Sequence, residues 1–191
     1  MNILVFDTET TGLPNWKEPS DHPDQPYVVD IAADLFGPDR ERIASLDAII
    51  NNGIVIPDDM AAIHGITTEI ATADGIAPDQ AINAFLDLVR QADLIVGHNI
   101  SFDIRMMRIM VAKVHGEKWD IPLPTFCTMR KSTNICQILG PKARHPQDWK
   151  WPTLTEAMRH FFDEDHGDAH RARPDCDASR RVFFALKDME K

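Results

Sequence analysis

Two carboxylates follow a strongly apolar stretch near the start of the chain. Residues 3–6 are apolar without alternation, which predicts a strand buried on both faces, and Asp7 and Glu9 come directly after them. Because side chains alternate along a strand, the two acids point to one face, roughly 7 Å apart. Two carboxylates in this position repel each other unless a cation lies between them. The alternative is a strand that has ended in solvent, since an Asp-x-Glu pair alone is common by chance.

Two further acids lie on the apolar faces of predicted helices. At 100° per residue, Asp103 falls near the middle of one apolar stripe, and Asp175 falls on another near the start of the last helix. The first stripe consists of Met106, Met107, Met110, Val111 and Val114, and the second of Ala178, Val182, Phe183, Leu186 and Met189. An acid on a core-facing surface is costly unless it is paired or binds a metal. For Asp103, a salt bridge to an arginine is the alternative.

Together the four carboxylates would form an oxygen-rich site for hard cations such as Mg²⁺ or Mn²⁺. Two divalent ions would neutralise the four charges, and a pair of ions about 4 Å apart suits an in-line phosphoryl displacement. A base must still take the proton of the attacking water. His170 is suited to that role because the unperturbed pKa of histidine is about 6.5. His166 is the alternative base, whereas His98 is expected to orient a turn.

The elements that position these residues follow an α/β pattern, which predicts a single domain over residues 1–191. Strands are predicted at residues 3–6, 27–35, 43–50, 93–99 and 125–128. Helices are predicted at residues 58–64, 78–90, 101–114 and 129–138, from residue 153, and after Pro174. Ser101 is the expected N-cap of the third helix. Asp34, Asp93 and Asp177 are expected to be turn or surface acids.

Composition is that of an ordinary globular protein, with 43% hydrophobic and 26% charged residues. No apolar run approaches the roughly 20 residues that span a bilayer, so no membrane association is expected. The chain enters its first strand at once, which predicts the absence of a signal peptide. The three cysteines lack metal-ligand spacing, which predicts reduced thiols and a cytoplasmic location.

The net charge of −10 disfavours general binding of polyphosphates, but the charge is uneven. Residues 1–128 hold 8 basic and 20 acidic residues, whereas residues 129–191 hold 12 and 10. This distribution favours local binding of the end of a nucleic-acid strand over binding along a long duplex. A loop at residues 140–152 mixes cations with Trp149 and Trp151, which suits a single strand. A solvated loop with one tryptophan anchored in the core is the alternative.

Three ordered motifs resemble those of the DnaQ-like, or DEDD, 3′–5′ exonuclease superfamily. DTETTGL at residues 7–13 resembles the first motif, and GHNISFD at residues 97–103 resembles the second. HRARPD at residues 170–175 resembles the third motif in its histidine form. Residues 63–67 also resemble a segment common in the family, and the match covers essentially the whole chain.

The resemblance implies a ribonuclease H-like α/β fold, a five-stranded mixed sheet with helices on both faces and an antiparallel second strand. It implies that the metal ligands are Asp7, Glu9, Asp103 and Asp175, and that His170 is the general base. By the same analogy, the substrate-binding residues are Thr10, Leu13, His64, Ile66 and Asn99, with Leu13 wedged against the terminal base. The resemblance also implies two divalent cations, Mg²⁺ or Mn²⁺, as cofactors.

The expected activity is metal-dependent release of nucleoside 5′-monophosphates from single-stranded 3′ ends of DNA or RNA, in the service of DNA repair or replication. A polymerase is a further candidate partner, although the chain ends after its last helix and lacks the long tail by which the family's replicative proofreading subunits attach. Pro174 departs from the family pattern and bears on where His170 lies. The alternatives are a non-catalytic nucleic-acid or polymerase-binding module of the same fold, and an RNA-specific 3′ trimming nuclease.

Overall fold

A five-stranded mixed sheet forms the centre of the computed structural model, which describes residues 1–166 and 170–190. The strands are β1 Ile3–Thr10, β2 Val28–Phe36, β3 Arg42–Ile49, β4 Leu94–Gly97 and β5 Thr125–Cys127, in the order β3-β2-β1-β4-β5. β2 is antiparallel to β1 and β3, whereas β4 is parallel to β1 and to β5. The predicted mixed sheet with an antiparallel second strand is confirmed.

Helices cover both faces of the sheet. They are α1 Asp58–His64, α2 Thr68–Asp74, α3 Pro78–Val89, α4 Ile100–His115, α5 Thr128–Cys136, α6 Leu154–Phe162 and α7 Ala172–Met189. Leu4 and Phe6 point into a core shared with α3 and α4, while Ile3 and Val5 point into a second core shared with α7. The apolar run without alternation therefore marks a strand buried on both sides, as predicted.

The end of β1 lies at the middle of the sheet, where it is flanked by β2 and β4. Because β1, β4 and β5 are parallel, their carboxyl ends meet at one edge of the sheet. The chain leaves β4 for α4 at that edge, and it leaves β5 directly for α5. This edge is where an α/β sheet commonly places its ligand site.

The helices differ from prediction at several places. The last helix, α7, begins at Ala172 and not after Pro174, and α5 ends at Cys136 and not at residue 138. α4 begins at Ile100, and its N-cap is Asn99 in the left-handed conformation (φ 64°), so the predicted N-cap at Ser101 is wrong. Asparagine tolerates this conformation better than most residues, which lets the chain turn sharply after β4. The short helix α2 was not predicted, although Thr67 caps it by accepting a hydrogen bond from Ile70 N. By contrast, the predicted start near Thr153 is confirmed, with a full capping box to Glu156.

Asp34 is completely buried, so its prediction as a turn or surface acid is wrong. It lies within β2, where every residue is buried, and its carboxylate accepts hydrogen bonds from three side chains: Arg42, Ser45 and Arg173. Ion pairing compensates for its removal from water. Asp93 is exposed and Asp177 is 44% exposed, as expected for surface acids.

The proline-rich loop at residues 13–26 contains no helix or strand, as predicted. It is ordered by Gln25, whose buried side-chain amide donates to the carbonyl oxygens of Asn15 and Pro19, each at 2.9 Å. Arg105 of α4 holds the same loop through a 2.8 Å hydrogen bond to Ser20 Oγ. Within residues 1–166 and 170–190, no helix combines the length and apolar character that crossing a bilayer requires.

Candidate active site

Three carboxylates meet at the carboxyl end of β1. Asp7 and Glu9 project from one face of the strand, and Asp175 lies in the first turn of α7, which packs against that face. One carboxylate oxygen from each residue lies within 4.8 Å of the other two. Acids about 170 positions apart in the sequence therefore share one small volume, and three of the four predicted ligands belong to this group.

Asp103 lies beside this cluster and is fixed by Thr8. It is 2% exposed on the core face of α4, as predicted from its position in the methionine stripe. Its Oδ1 accepts hydrogen bonds from Thr8 N at 3.1 Å and from Thr8 Oγ1 at 2.8 Å. The arginine salt bridge, which was the alternative, is not among its contacts in the described part of the chain. Asp103 does not belong to the group of three carboxylates. Its charge nevertheless raises the pKa of Asp7 and that of Glu9.

Burial and mutual repulsion make these carboxylates hard to ionise without a cation. Burial is the main cause that raises the pKa of Glu9 to about 8 and that of Asp103 to about 7, and the charge of Asp175 adds to both shifts. The pKa of Asp7 is raised well above its usual range by burial and then by Asp103, Asp175 and Glu9. Burial likewise raises the pKa of Asp175.

The donor set fits a hard divalent cation. All the candidate ligand atoms are carboxylate oxygens, which Mg²⁺ and Mn²⁺ prefer, and their clustering leaves negative charge that a cation would neutralise. A soft metal would favour thiolate or imidazole ligands. Cys176 adjoins Asp175, but its Sγ is buried and faces the carbonyl oxygen of Val5 at 3.3 Å.

Two histidines border Asp175 in different ways. The ring of His166 is 92% buried, and its Nε2 lies 2.8 Å from Asp175 Oδ1. His170 is exposed and adopts a left-handed conformation (φ 70°), and its backbone N–H donates to Asp175 Oδ2 at 3.2 Å. In the structure, the ring of His166 and the backbone of His170 therefore both contact Asp175, the aspartate of the third motif.

His98 is held by two hydrogen bonds, which tie the end of β4 to α5 and to Pro152. Its Nε2 lies 3.0 Å from the carbonyl oxygen of Pro152, and its Nδ1 lies 3.0 Å from Thr128 Oγ1. Since a carbonyl only accepts, Nε2 carries the proton. Burial lowers the pKa of His98 to about 4, so its ring is neutral at physiological pH.

Asp30 is a functional candidate that sequence reasoning missed. It is 1% exposed and lies opposite Glu9 in the β1–β2 pair. Its Oδ2 accepts from Arg171 Nε at 3.0 Å and from Ala172 N at 3.4 Å, while its Oδ1 has no hydrogen-bond partner among the described residues. The signal was available, because β2 carries two acids at positions 30 and 34 inside an otherwise apolar run.

Two arginines of the third motif bind these two acids of β2. Arg171 pairs with Asp30, and Arg173 donates to Asp34 Oδ2 at 2.8 Å and to the carbonyl oxygen of Leu46 at 2.7 Å. These contacts fasten the start of α7 to β2. They therefore set where Asp175 lies relative to Glu9. Pro174 lies within the first turn of α7, between Arg173 and Asp175, where a proline is tolerated.

The predicted substrate-binding residues occupy different environments. Leu13 is 85% exposed, and Thr10 Oγ1 donates to the carbonyl oxygen of Gly12 at 2.8 Å. His64 is 2% exposed and accepts from Ile66 N at 3.2 Å through Nδ1, while Ile66 is completely buried. Burial lowers the pKa of His64. Asn99 forms the turn between β4 and α4.

Comparison with known proteins gives the family. The sequence profile RNase_T, described as "Exonuclease", matches residues 4–183. A DNA polymerase III subunit epsilon-like protein of Rhodobacter capsulatus is 32% identical over 126 residues, which cover 64% of this chain and 16% of the relative. The chain thus spans a small part of that longer protein.

Solved structures share the fold at low sequence identity. E. coli exonuclease I in complex with a dT13 oligonucleotide has a TM-score of 0.69 and 18% identity over 97% of this chain and 40% of that one. Exonuclease X in complex with 5′ overhanging duplex DNA has a TM-score of 0.59 and 18% identity over 98% and 92%. The ribonuclease H-like fold and the DnaQ-like resemblance are confirmed, and the chain belongs to the exonuclease family that this profile describes.

Proposed function

We propose that this protein is a metal-dependent 3′–5′ exonuclease that hydrolyses single-stranded nucleic acid to nucleoside 5′-monophosphates. The observation that carries the proposal is the group of three carboxylate oxygens, from β1 and α7, within 4.8 Å of one another. A second support is the family, whose profile covers residues 4–183. A related fold that holds a dT13 oligonucleotide supports a single strand as the substrate.

Asp7, Glu9, Asp103 and Asp175 would hold two divalent cations, Mg²⁺ or Mn²⁺. Bound there, these cations would lower the pKa of an attacking water and neutralise the charge of the phosphodiester. The chain contributes a preformed and mostly buried set of oxygens. Thr8 keeps Asp103 in place through Oδ1, and the pairs Asp30–Arg171 and Asp34–Arg173 keep Asp175 in place through α7.

His170 is the proposed general base, which takes the proton from the attacking water. Its side chain is exposed beside the acidic cluster, where a substrate can approach, and its backbone is tied to Asp175 Oδ2. His166 is proposed as a positioning residue, because its ring is buried against Asp175 Oδ1. Leu13, 85% exposed at the end of the first motif, is the proposed contact for the terminal base.

End-labelled oligonucleotides test this function. We expect purified protein with Mg²⁺ or Mn²⁺ to release mononucleotides stepwise from the 3′ end of matched DNA and RNA strands, and EDTA to stop the release. Asp7→Asn should abolish hydrolysis with an unchanged circular dichroism spectrum, because the amide keeps the shape of the side chain and removes its charge. Asp39→Asn is the matched control, since Asp39 is exposed in the β2–β3 turn.

Full hydrolysis by a folded Asp7→Asn variant would overturn the proposal. Internal fragments as the first products would instead identify an endonuclease, and mononucleotides from RNA alone would identify an RNA-specific nuclease. Binding without any release of mononucleotides, across all metals, would leave a non-catalytic module.

A further inference from the structure

A groove opens between α4 and the pair formed by β5 and α5. Its apolar lining includes Ile100 and Ile104 of α4 and Phe126 of β5, whose ring also packs on Phe183 of α7. Arg108, Arg130 and Lys131 also line it, as does Trp16 of the proline-rich loop. Its volume is about 440 Å³, within the range of ligand pockets. We call this feature the α4–α5 groove.

The groove is basic in a protein of net charge −10. Three cations line it, against one acid, Asp120, whose Oδ1 accepts from Arg108 Nε at 3.1 Å. Among residues 1–166 and 170–190, neither Arg130 nor Lys131 has a carboxylate oxygen within 4.0 Å. Arg130 is therefore available to an anionic partner, and Lys131 forms no close ion pair, although its charge acts on Glu190.

Two exposed tryptophans flank these cations. Trp16 is 60% exposed and Trp151 is 59% exposed. The guanidinium carbon of Arg130 lies 5.8 Å from the centre of the Trp151 ring, and that of Arg105 lies 6.0 Å from the centre of the Trp16 ring. Arg105 also fastens the loop that carries Trp16, through Ser20. Exposed aromatic faces beside cations suit a single strand, whose bases stack and whose phosphates pair with the cations.

The groove leads away from the edge of the sheet that holds the acids. α4 and α5 both begin at that edge, because β4 and β5 are parallel to β1 and end there. Ile100, Ile104 and Arg108 are spaced by four residues along α4, so the groove follows the helix for about 12 Å. A strand whose 3′ end lies at Asp7 and Glu9 can therefore continue into it.

We propose that the α4–α5 groove binds the part of a single-stranded nucleic acid that lies upstream of its 3′ end. Phosphates contact Arg108, Arg130 and Lys131, and bases stack on Trp16 and Trp151. This proposal rests on the proposed exonuclease function, since it assumes that the 3′ end lies at the acidic cluster. The partner is identified as a single-stranded nucleic acid by charge complementarity and by the stacking surfaces. Neither contact depends on the base sequence.

Fluorescence anisotropy with oligonucleotides of three and fifteen nucleotides, in EDTA and over a range of salt, tests the groove. The wild-type protein should bind the longer strand more tightly. Arg130→Ala and Lys131→Ala should each reduce the slope of log affinity against log salt by roughly 0.7, the value for one released counterion on a single strand. Trp16→Ala should weaken binding of the longer strand about tenfold, with little change in the salt slope.

Arg90→Ala is the matched control, because Arg90 is 69% exposed at the end of α3 and lies outside the groove. It should keep the wild-type slope. Mononucleotide release by the wild-type protein, measured in parallel, separates the two proposals. If release occurs while Arg130→Ala and Lys131→Ala keep the wild-type slope and length dependence, the groove proposal alone is overturned. If the wild-type protein neither releases mononucleotides nor binds either strand, both proposals are overturned.

Discussion

The Nε2 atom of His166 lies 2.8 Å from Oδ1 of Asp175, at the point where α7 brings its first-turn acid to the end of β1. The neighbouring His170 meets the other oxygen of the same carboxylate through its backbone N–H. One aspartate is thus held from both sides by two histidines that lie four positions apart in the sequence. The two histidines have different surroundings, and mutation should separate their roles.

His170→Asn should lower kcat by about 10²–10⁴-fold, the usual contribution of a general base. His166→Asn should act mainly through the position of Asp175, and we expect it to raise the Mg²⁺ concentration needed for half-maximal activity. Steady-state rates on a labelled oligonucleotide, titrated with Mg²⁺, measure both effects. The assignment is wrong if His166→Asn causes the larger loss of kcat at saturating Mg²⁺ while His170→Asn is nearly as active as the wild type.

The stability of the metal-free protein should fall as the pH rises from about 6.5 to 8. The pKa of Glu9 is raised to about 8 and that of Asp103 to about 7 in the native state, from ordinary values of 4.5 and 3.8. The native state then binds more protons than the unfolded chain, so the free energy of unfolding decreases with pH up to the native pKa values. A divalent cation bound at the proposed site would replace these protons. Mg²⁺ or Mn²⁺ should therefore raise Tm more at pH 8 than at pH 6.

Thermal melts with EDTA or excess metal at the two pH values measure this difference. Glu9→Gln is the informative variant, because it removes the group with a pKa of about 8 and should flatten the dependence of Tm on pH in EDTA. An equal gain in Tm at pH 6 and pH 8 would contradict the prediction.

Protonation of His98 should destabilise the fold as the pH falls below about 6.5. Burial lowers the pKa of His98 to about 4 from 6.5, so the unfolded chain binds a proton that the native state excludes. The stability that this group contributes is present above pH 6.5 and is lost as the pH falls toward 4. Between pH 7 and pH 5 we expect a loss of about 2 kcal/mol from this residue.

Urea unfolding of the wild type and of His98→Gln at pH 7 and pH 5 isolates that contribution. The buried acids Glu9 and Asp103 act in the opposite direction throughout this range, so the comparison with the variant is essential. Equal changes in unfolding free energy for the two proteins would show that His98 is not the responsible group.

Asp34 and Asp47 both bind Arg173, and they should differ greatly in their effect on stability. Asp34 is 1% exposed and meets Arg173 Nη1 at 2.8 Å, whereas Asp47 is 54% exposed and meets Arg173 Nε at 3.0 Å. Asp34→Ala removes the buried partner of a half-buried cation and should destabilise the fold by about 3 kcal/mol. Asp47→Ala should cost less than about 1 kcal/mol, as exposed ion pairs do. Chemical unfolding of both variants measures the two losses of unfolding free energy. Similar losses for Asp34→Ala and Asp47→Ala would refute the role of the buried pair.

Local patterns in the sequence were sufficient to predict the strand and the helix that carry Asp7, Glu9 and Asp103. The run at residues 3–6 identified β1 as buried on both faces, and the period of 3.6 residues placed Asp103 on the core side of α4. Both inferences concern neighbouring residues in one regular element, where the geometry is set by the backbone alone. The three motifs identified the family for the same reason, since each is a short stretch with its own local shape.

Only the tertiary structure decided how those elements meet. It placed the ring of His166 rather than that of His170 on Asp175, and it turned Asp103 toward Thr8. It also buried Asp30 and Asp34 against arginines about 140 positions away, which no local pattern could indicate. These outcomes depend on long-range packing, because a buried charge is tolerated only when a distant segment supplies its partner. The sequence by itself therefore determined which residues are candidates for the chemistry, and the fold decided which partner each of them has.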